Sequence, residues 1–228
     1  MILNFIEKVQ NTADCFSFFF DSPGTVIFKA GQYMNFTLPH DNPDDRGINR
    51  YFTIASAPHE GRIMITTRIS RERSSTFKNA LMNMERRREI TAALPQGEFI
   101  IEDYYKDYVF FAGGIGITPF RSILVDLDYY GKMKEIEIFL FYANRNKDIV
   151  FKDELDLLAS RNAAFKVRYV VSPEVCDIEM LKAIIPKYLD KTYYISGPPS
   201  MVKYIGESLA AENMDDSQIK RDFFPGYQ

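Results

Sequence analysis

Cysteine, histidine and tryptophan are scarce in this chain: its 228 residues include two cysteines, two histidines and no tryptophan. Cys15 and Cys176 lie far apart, so the chain offers neither a disulfide framework nor the clustered cysteines of a zinc or iron–sulfur site. We therefore expect no metal site, and free thiols in a reducing compartment, the cytoplasm. His40 and His59 lie in polar, turn-like stretches, which favours exposed imidazoles over catalytic ones.

Charge of one sign and long apolar runs are also missing. The chain has 28 lysines and arginines against 31 aspartates and glutamates, and its formal net charge of -3 does not favour a nucleic-acid partner. No apolar stretch approaches the roughly 20 residues that span a membrane. The amino-terminal run has no basic start and is interrupted at Glu7, so we expect neither a signal peptide nor a membrane span.

The first hundred residues carry the pattern of an antiparallel β domain. Apolar and polar residues alternate in short segments bounded by turn residues, as at 32–38, 51–55 and 62–69. One helix is predicted within this half, because Phe77, Leu81 and Met84 fall on a single face.

From about residue 104 the pattern changes to apolar strands that alternate with helices. Strands are predicted at 109–112, 136–143, 165–171, 193–195 and 218–224. Apolar stripes between them predict helices that begin near Phe120, Phe151, Met180 and Pro199. Such alternation indicates a doubly wound parallel sheet with helices on both faces. We expect domains at 1–103 and 104–228.

A glycine turn follows the first strand of the second half, with the sequence Gly113-Gly114-Ile115-Gly116-Ile117-Thr118-Pro119. Its glycines let backbone N–H groups approach an anion, and we expect Thr118 to cap the next helix with Pro119 in its first turn. The start of such a helix favours phosphate. A tight strand-to-helix turn without a ligand would need the same glycines, and the turn alone does not separate the two interpretations.

Two more segments follow predicted parallel strands. Residues 196–201 are Ser-Gly-Pro-Pro-Ser-Met, and residues 142–147 are Tyr-Ala-Asn-Arg-Asn-Lys. Because parallel strands end at the same edge of a sheet, these segments and the glycine turn are predicted to meet at one crevice. Neither the G-x-G-x-x-G fingerprint nor a phosphate-binding loop with Gly-Lys-Ser/Thr is present, so a nucleotide site here is of another kind.

Five motifs, in family order, make essentially the whole chain resemble the ferredoxin-NADP reductase superfamily. They are Gly31-Gln32-Tyr33, Arg50-x-Phe52-Thr53, Ser75-Thr76-Phe77, Gly113-Gly114-x-Gly116-x-Thr118-Pro119 and Gly197-Pro198-Pro199-x-Met201. The resemblance implies an antiparallel β-barrel that binds FAD, followed by an α/β domain that binds NAD or NADP, in a stand-alone reductase without an iron–sulfur domain.

For the flavin, the resemblance implies that Arg50 pairs with the pyrophosphate, since a guanidinium presents a fork of donors to phosphate oxygens. Ser75 and Thr76 would share that charge, and Phe52 would lie against the isoalloxazine. Thr53 is the candidate catalytic residue, with its hydroxyl and N–H near flavin N5. Further cofactor contacts are expected from Tyr51, Thr67, Arg68 and Ser74. Without the other motifs, Arg50 would be interpreted as a solvated loop cation.

For the nicotinamide nucleotide, the resemblance implies contacts from all three strand ends. The candidates are Gly113, Gly114, Gly116, Thr118, Pro119, Asn144, Arg145, Gly197, Pro198, Pro199 and Met201. Arg145 and Lys147 favour NADP slightly over NAD. Phe224, in a carboxyl-terminal segment like that of some relatives, is a second candidate catalytic residue that would cover the flavin. Ser196 stands where many relatives have a cysteine.

These residues predict a flavin-dependent NAD(P)H oxidoreductase in which hydride passes from the nicotinamide to flavin N5. The expected acceptor is a small carrier protein such as ferredoxin or flavodoxin, steered by a basic cluster that comprises Arg62, Arg68, Arg71, Arg73, Arg86, Arg87 and Arg88. Two alternatives stay open: a reductase of free flavin, ferric chelates or quinones, and an electron-transfer subunit of a larger complex.

Overall fold

Six antiparallel strands form the first sheet of the computed structural model, which describes residues 1–70 and 74–223. The strands are β1 (Ile2–Gln10), β2 (Cys15–Asp21), β3 (Tyr33–Thr37), β4 (Asn49–Thr53), β5 (Ile63–Arg68) and β6 (Glu89–Ala92), in the spatial order β4-β3-β6-β1-β2-β5. Buried and more exposed side chains alternate along β3 and β6, as the period-2 pattern predicts, whereas five successive residues of β5 are buried.

The two outer strands of this sheet meet and close it into a barrel. Just after β4, the Ala55 N–H donates to the carbonyl oxygen of Met64 in β5 at 2.7 Å. The Met64 N–H in turn donates to the Ser56 hydroxyl oxygen at 3.0 Å. Helix α1 (Thr76–Met82) contributes Phe77 and Leu81 to the barrel core. The helix begins at Ser75, whose hydroxyl accepts from the backbone N–H of Lys78.

Five parallel strands form the second sheet. They are β7 (Tyr108–Gly113), β8 (Ile138–Asn144), β9 (Phe165–Val171), β10 (Thr192–Gly197) and β11 (Ile219–Phe223), in the order β11-β10-β7-β8-β9. The helices are α2 (Ile117–Tyr129), α3 (Lys152–Arg161), α4 (Ile178–Ile184) and α5 (Pro199–Ala211). Phe110 and Phe111 of β7 enter separate apolar clusters, because helices cover both faces of the sheet.

Aromatic packing and hydrogen bonds join the two sheets. Phe99, which follows the barrel strands, packs edge-to-face on Tyr194 of β10 and Phe120 of α2, with ring centroids 4.9 and 5.5 Å away. The Tyr194 hydroxyl donates to the carbonyl oxygen of Ile100 at 2.6 Å. The barrel and the α/β domain therefore share a buried contact.

The architecture confirms the predicted fold class of an antiparallel barrel followed by a doubly wound parallel sheet. The domain boundary at residue 103 stays a prediction; β6 ends at Ala92 and β7 begins at Tyr108. The expectation of exposed histidines is wrong. His40 is half-buried and shares a hydrogen bond with the Thr76 hydroxyl at 2.9 Å, whereas His59 stacks on Tyr129 with ring centroids 3.8 Å apart.

Among the described residues, no helix combines the length and apolar character that crossing a membrane requires. The same part of the chain brings no three histidine, cysteine, aspartate or glutamate side chains together in a way that could hold a metal ion.

Candidate functional site

The candidate site begins where the strand order of the parallel sheet reverses, between β7 and β10. Ligands of doubly wound sheets bind outside the carboxyl ends of the strands at such a point. Here the two strands end in Gly113 and Gly197, and a Cβ placed on Gly197 would lie 3.0 Å from the Gly113 Cα. The predicted meeting of the glycine turn with residues 196–201 is thus present.

Two of the three glycines in the turn are explained by packing within the protein. A Cβ on Gly113 would lie 2.6 Å from the Met201 sulfur, and one on Gly116 would lie 2.2 Å from the Ser196 carbonyl oxygen. Only a residue without a side chain permits these approaches. Packing within the protein therefore explains two of the glycines without a ligand, which is one of the two interpretations of the turn.

Gly114 differs from the other two. It has a φ of +52°, and the nearest atom to a Cβ placed on it is Arg68 Nη2, at 4.0 Å. Arg68 ends strand β5 of the barrel, and its Nε lies 3.0 Å from an oxygen of Asp14. The glycine turn therefore faces a cation of the other domain at the position where its backbone is least obstructed.

The predicted capping role of Thr118 is wrong. Helix α2 already begins at Ile117, its N-cap position is Gly116, and no side chain caps it. The Thr118 hydroxyl instead donates to the Ile115 carbonyl oxygen at 3.1 Å. Thr118 and Pro119 are buried, so their side chains contribute to packing within the turn, and their contact with a nucleotide stays a prediction.

In the barrel, the Asp44 carboxylate joins Arg50 of β4 to Thr76 at the start of α1, next to the N-cap residue Ser75. Arg50 donates from Nη2 to Asp44 Oδ1 at 2.6 Å, and the Thr76 N–H donates to Asp44 Oδ2 at 3.2 Å. Asp44 is a carboxylate of the chain itself, and it shows that these donors hold an anion. A guanidinium and a backbone N–H are also donors that a phosphate can use, and their contact with the pyrophosphate of FAD stays a prediction.

Strand β4 separates the aromatic residues of its motif. Phe52 is buried in the barrel core, with its ring 5.9 Å from Phe36 and 5.8 Å from Phe77, whereas Tyr51 is 63% exposed. Most of the Phe52 surface therefore packs against other side chains of the barrel core. Its contact with an isoalloxazine stays a prediction, and Tyr51 is the exposed ring of the motif.

The candidate catalytic residue Thr53 ends β4 and is buried, as is Ser196 near the end of β10. The Ser196 hydroxyl lies 3.5 Å from a carboxylate oxygen of Asp222 in β11, to which it donates. Phe224, the other candidate, lies outside the described residues, as do Arg71 and Arg73 of the basic cluster.

The remaining predicted contacts come from β5, from the segment before α1 and from the end of β8. Ser74 donates to the Ser70 carbonyl oxygen at 2.7 Å, and Thr67 is fully buried in β5. At the end of β8, Asn144 is half-buried while Arg145 and Lys147 are exposed. No cofactor role of these side chains follows from the contacts alone.

Sequence reasoning missed Arg121, the most heavily bonded side chain near the crevice. It is 7% exposed, and its five N–H groups donate to Glu60, Glu154 and the Ala55 carbonyl oxygen at 2.6–3.0 Å. The neighbouring Ser122 hydroxyl donates to the Ser56 carbonyl oxygen at 2.6 Å. The sequence offered one indication of this residue, because an arginine interrupts the otherwise apolar first turns of α2.

Burial raises the pKa of Glu60, but hydrogen bonds and charge from Arg121 outweigh it, and the pKa lies below its usual range. The carboxylate is therefore ionised at neutral pH, and the Arg121 contacts join a charged pair across the two domains. The segment that follows Thr53 is fixed to the start of α2.

Comparison with known proteins agrees with this arrangement. Residues 110–207 match the family described as the oxidoreductase NAD-binding domain. The stachydrine N-demethylase reductase subunit of Rhizobium meliloti is 26% identical, over 99% of this chain and 67% of its own length. The glycine betaine monooxygenase reductase subunit of Pseudomonas aeruginosa is also 26% identical, over 96% of this chain and 63% of its own length. The chain thus spans about two thirds of these relatives.

Two solved structures have the same fold. The FAD/NAD-binding domain of a nitric oxide dioxygenase from Vibrio cholerae superposes with a TM-score of 0.84 at 20% identity, with 98% of each chain covered. A ferredoxin NADP+ reductase from Neisseria gonorrhoeae, solved with FAD and NADP, gives 0.79 at 18% identity and the same coverage. The two-domain fold that the resemblance to the ferredoxin-NADP reductase superfamily implies is therefore confirmed.

Proposed function

We propose that this chain belongs to the ferredoxin-NADP reductase superfamily and is an FAD-dependent NAD(P)H oxidoreductase that passes electrons to a separate acceptor. The observation that carries the proposal is the approach of Arg68, at the end of barrel strand β5, to Gly114 of the glycine turn. It brings the predicted flavin half and the predicted nucleotide half to one crevice. The family match and the reductase names of the relatives support the same class of activity.

In the barrel, Arg50 and Thr76 would hold the FAD pyrophosphate with charged and backbone donors, and Ser75 would fix the start of α1 beside them. When bound, FAD would accept two electrons as a hydride and release them singly. Thr53 would present its hydroxyl and N–H to the flavin. The buried contacts of Arg121 would keep the segment after Thr53 in register with the glycine turn.

In the α/β domain, Gly114 would present its backbone to the nucleotide pyrophosphate, and the Gly197-Pro198-Pro199 turn with Met201 would form the opposite wall. Asn144 and Arg145, at the end of β8, would contact the adenosine end. The exposed side chains of Arg145 and Lys147 favour NADP slightly, because a 2′-phosphate would find two cations there.

The acceptor we propose is a small acidic carrier protein, such as a ferredoxin or flavodoxin, in the cytoplasm. Arg62, Arg86, Arg87 and Arg88 are exposed on the barrel and would steer it. The relatives named as reductase subunits of a stachydrine N-demethylase and of a glycine betaine monooxygenase favour a separate acceptor, and they also support the alternative of a subunit within a larger complex.

The proposal is tested by adding FAD to the purified chain and titrating it anaerobically with NADH and with NADPH. We expect a yellow protein whose flavin absorbance is bleached, more readily by NADPH. A protein that neither retains FAD nor bleaches would contradict the enzymatic proposal. Re-oxidation by ferredoxin, flavodoxin, free flavin, a ferric chelate and a quinone then separates the carrier-protein proposal from the small-acceptor alternative.

A further inference from the structure

Asp44 occupies the place that the proposed flavin site assigns to a phosphate. It lies between β3 and β4, and its carboxylate contacts both Arg50 and the Thr76 N–H. We infer that Asp44 is an internal anion that competes with the FAD pyrophosphate for Arg50 and so sets the affinity of the chain for FAD. This inference rests on the proposed function.

The Asp44 carboxylate is held by several donors at once. Oδ1 accepts from Arg50 Nη2 at 2.6 Å and from the Arg46 N–H at 3.1 Å, and Oδ2 accepts from the Thr76 N–H at 3.2 Å. Burial raises the pKa of Asp44, but the Arg50 and backbone donors outweigh it and lower the pKa. The group is therefore a carboxylate at neutral pH and uses donors that a phosphate would need.

Most of the Arg50 donors are already used within the protein. Its Nη1 donates to the carbonyl oxygens of Arg46, Gly47 and Asn49 at 2.6–2.9 Å, and its Nη2 donates one of its two N–H groups to Asp44. The side chain is 11% exposed, and its Nε is buried with no hydrogen-bond partner among the described residues. A phosphate that binds Arg50 through Nη2 would share that nitrogen with the Asp44 carboxylate.

Asp44 and a pyrophosphate carry charge of the same sign, so they would repel each other if both stayed beside Arg50. Asp44 is also tied to Thr76 through its own backbone, since its N–H donates to the Thr76 hydroxyl at 3.0 Å. A shift of Asp44 away from a bound pyrophosphate would therefore break its contacts with Thr76 as well as its contact with Arg50.

The test compares FAD dissociation constants of the full-length apoprotein as wild type, Asp44→Asn and Asp45→Asn. Asp45 is the matched control, because it carries the same charge one residue away and is exposed. Asparagine keeps an oxygen that can accept from the Thr76 N–H, and a thermal melt of each variant checks folding. We expect Asp44→Asn to bind FAD about tenfold more tightly, the equivalent of one charge-assisted hydrogen bond released from competition. Asp45→Asn should stay within about twofold of wild type.

A second comparison separates competition for Arg50 from a general effect of charge. In an Arg50→Gln background, removal of the Asp44 charge should no longer tighten FAD binding, because the shared partner is gone. Unchanged or weaker FAD binding by Asp44→Asn in the wild-type background would overturn the inference and leave the proposed function intact. Failure of wild type and both aspartate variants to bind FAD at all would overturn the proposed function and the inference with it.

Discussion

Arg121 of helix α2 and Glu60 of the barrel form a two-pronged ion pair across the two domains, with Nη1 to Oε2 at 2.6 Å and Nη2 to Oε1 at 3.0 Å. Glu154 of α3 binds the other side of the same guanidinium. The arginine side chain is 8% exposed, so its removal would leave two partly buried carboxylates facing each other without a cation.

Arg121→Met should lower the free energy of unfolding by about 3 kcal/mol, because removing one member of a buried charged network strands its partners. Urea unfolding at neutral pH measures this. The control is Arg161→Met, which removes an exposed arginine paired with Asp128 at 3.1 Å and should cost at most about 1 kcal/mol. Equal losses in the two variants would contradict a special role for the Arg121 contacts.

Stability should fall in acid partly through Glu60. Its pKa is lower in the folded protein than in the unfolded chain, so its contribution is present above the unfolded pKa and is lost as pH falls through the folded pKa. We expect wild type to lose stability below about pH 4 and Glu60→Gln to show a shallower loss. Unfolding at pH 7 and pH 3.5 measures both, with exposed Glu85→Gln as the control; parallel losses in all three proteins would refute the assignment.

Substitutions in the glycine turn should separate architecture from ligand binding. Gly116→Ala places a Cβ 2.2 Å from the Ser196 carbonyl oxygen and should cost about 3 kcal/mol of stability. Gly114→Val, at a φ of +52°, should cost about 1–2 kcal/mol of stability and weaken nicotinamide-nucleotide binding more than FAD binding.

Arg50→Ala should do the reverse of Gly114→Val, with FAD affinity falling more than nicotinamide affinity. Gly24→Ala is the control for the glycine substitutions, since a Cβ there has no atom within 4 Å. Calorimetric titration with FAD and NADP+ measures both affinities. Equal loss of both ligands in either variant would rule out two separate cofactor sites.

Reduction of an acidic carrier protein should slow as salt is added, because exposed charges are screened within about 10 Å at 0.1 M ionic strength. Neutralising Arg86 and Arg88 to glutamine should lower the rate at low salt and remove much of the salt dependence. Free ferricyanide serves as a comparison acceptor for the flavin step. Carrier reduction at the same rate in low and high salt would eliminate steering by these arginines.

The fold was predictable because the two halves have different apolar periods. Alternation around Phe36 and Phe52 indicates the barrel, and the apolar runs through Phe110 and Phe141 indicate a sheet covered on both faces. The glycine turn was also predictable in position, since a strand that turns directly into a helix needs residues without side chains at close approaches.

The contacts made by distant residues were not predictable. Asp44 stands in a stretch with the composition of a solvated turn, and its partner Thr76 is 32 positions away. Thr118 has the residue type of a helix cap, but the helix begins one residue before it. Glu60 and Arg121 are 61 positions apart, and only the docking of the two domains brings them together.

The Arg121 contacts also limit how the two halves can be recombined. A chimera that takes its α/β domain from another reductase would place a foreign side chain against Glu60 and the Ala55 and Ser56 carbonyl oxygens. The buried carbonyl oxygens of Ala55 and Ser56 would then lose these side-chain donors, and Glu60 would keep the Ala57 N–H but lose its cation. A functional exchange of nucleotide domains therefore has to keep Arg121 and Ser122 at the start of α2. The structural unit that must stay intact is larger than either domain.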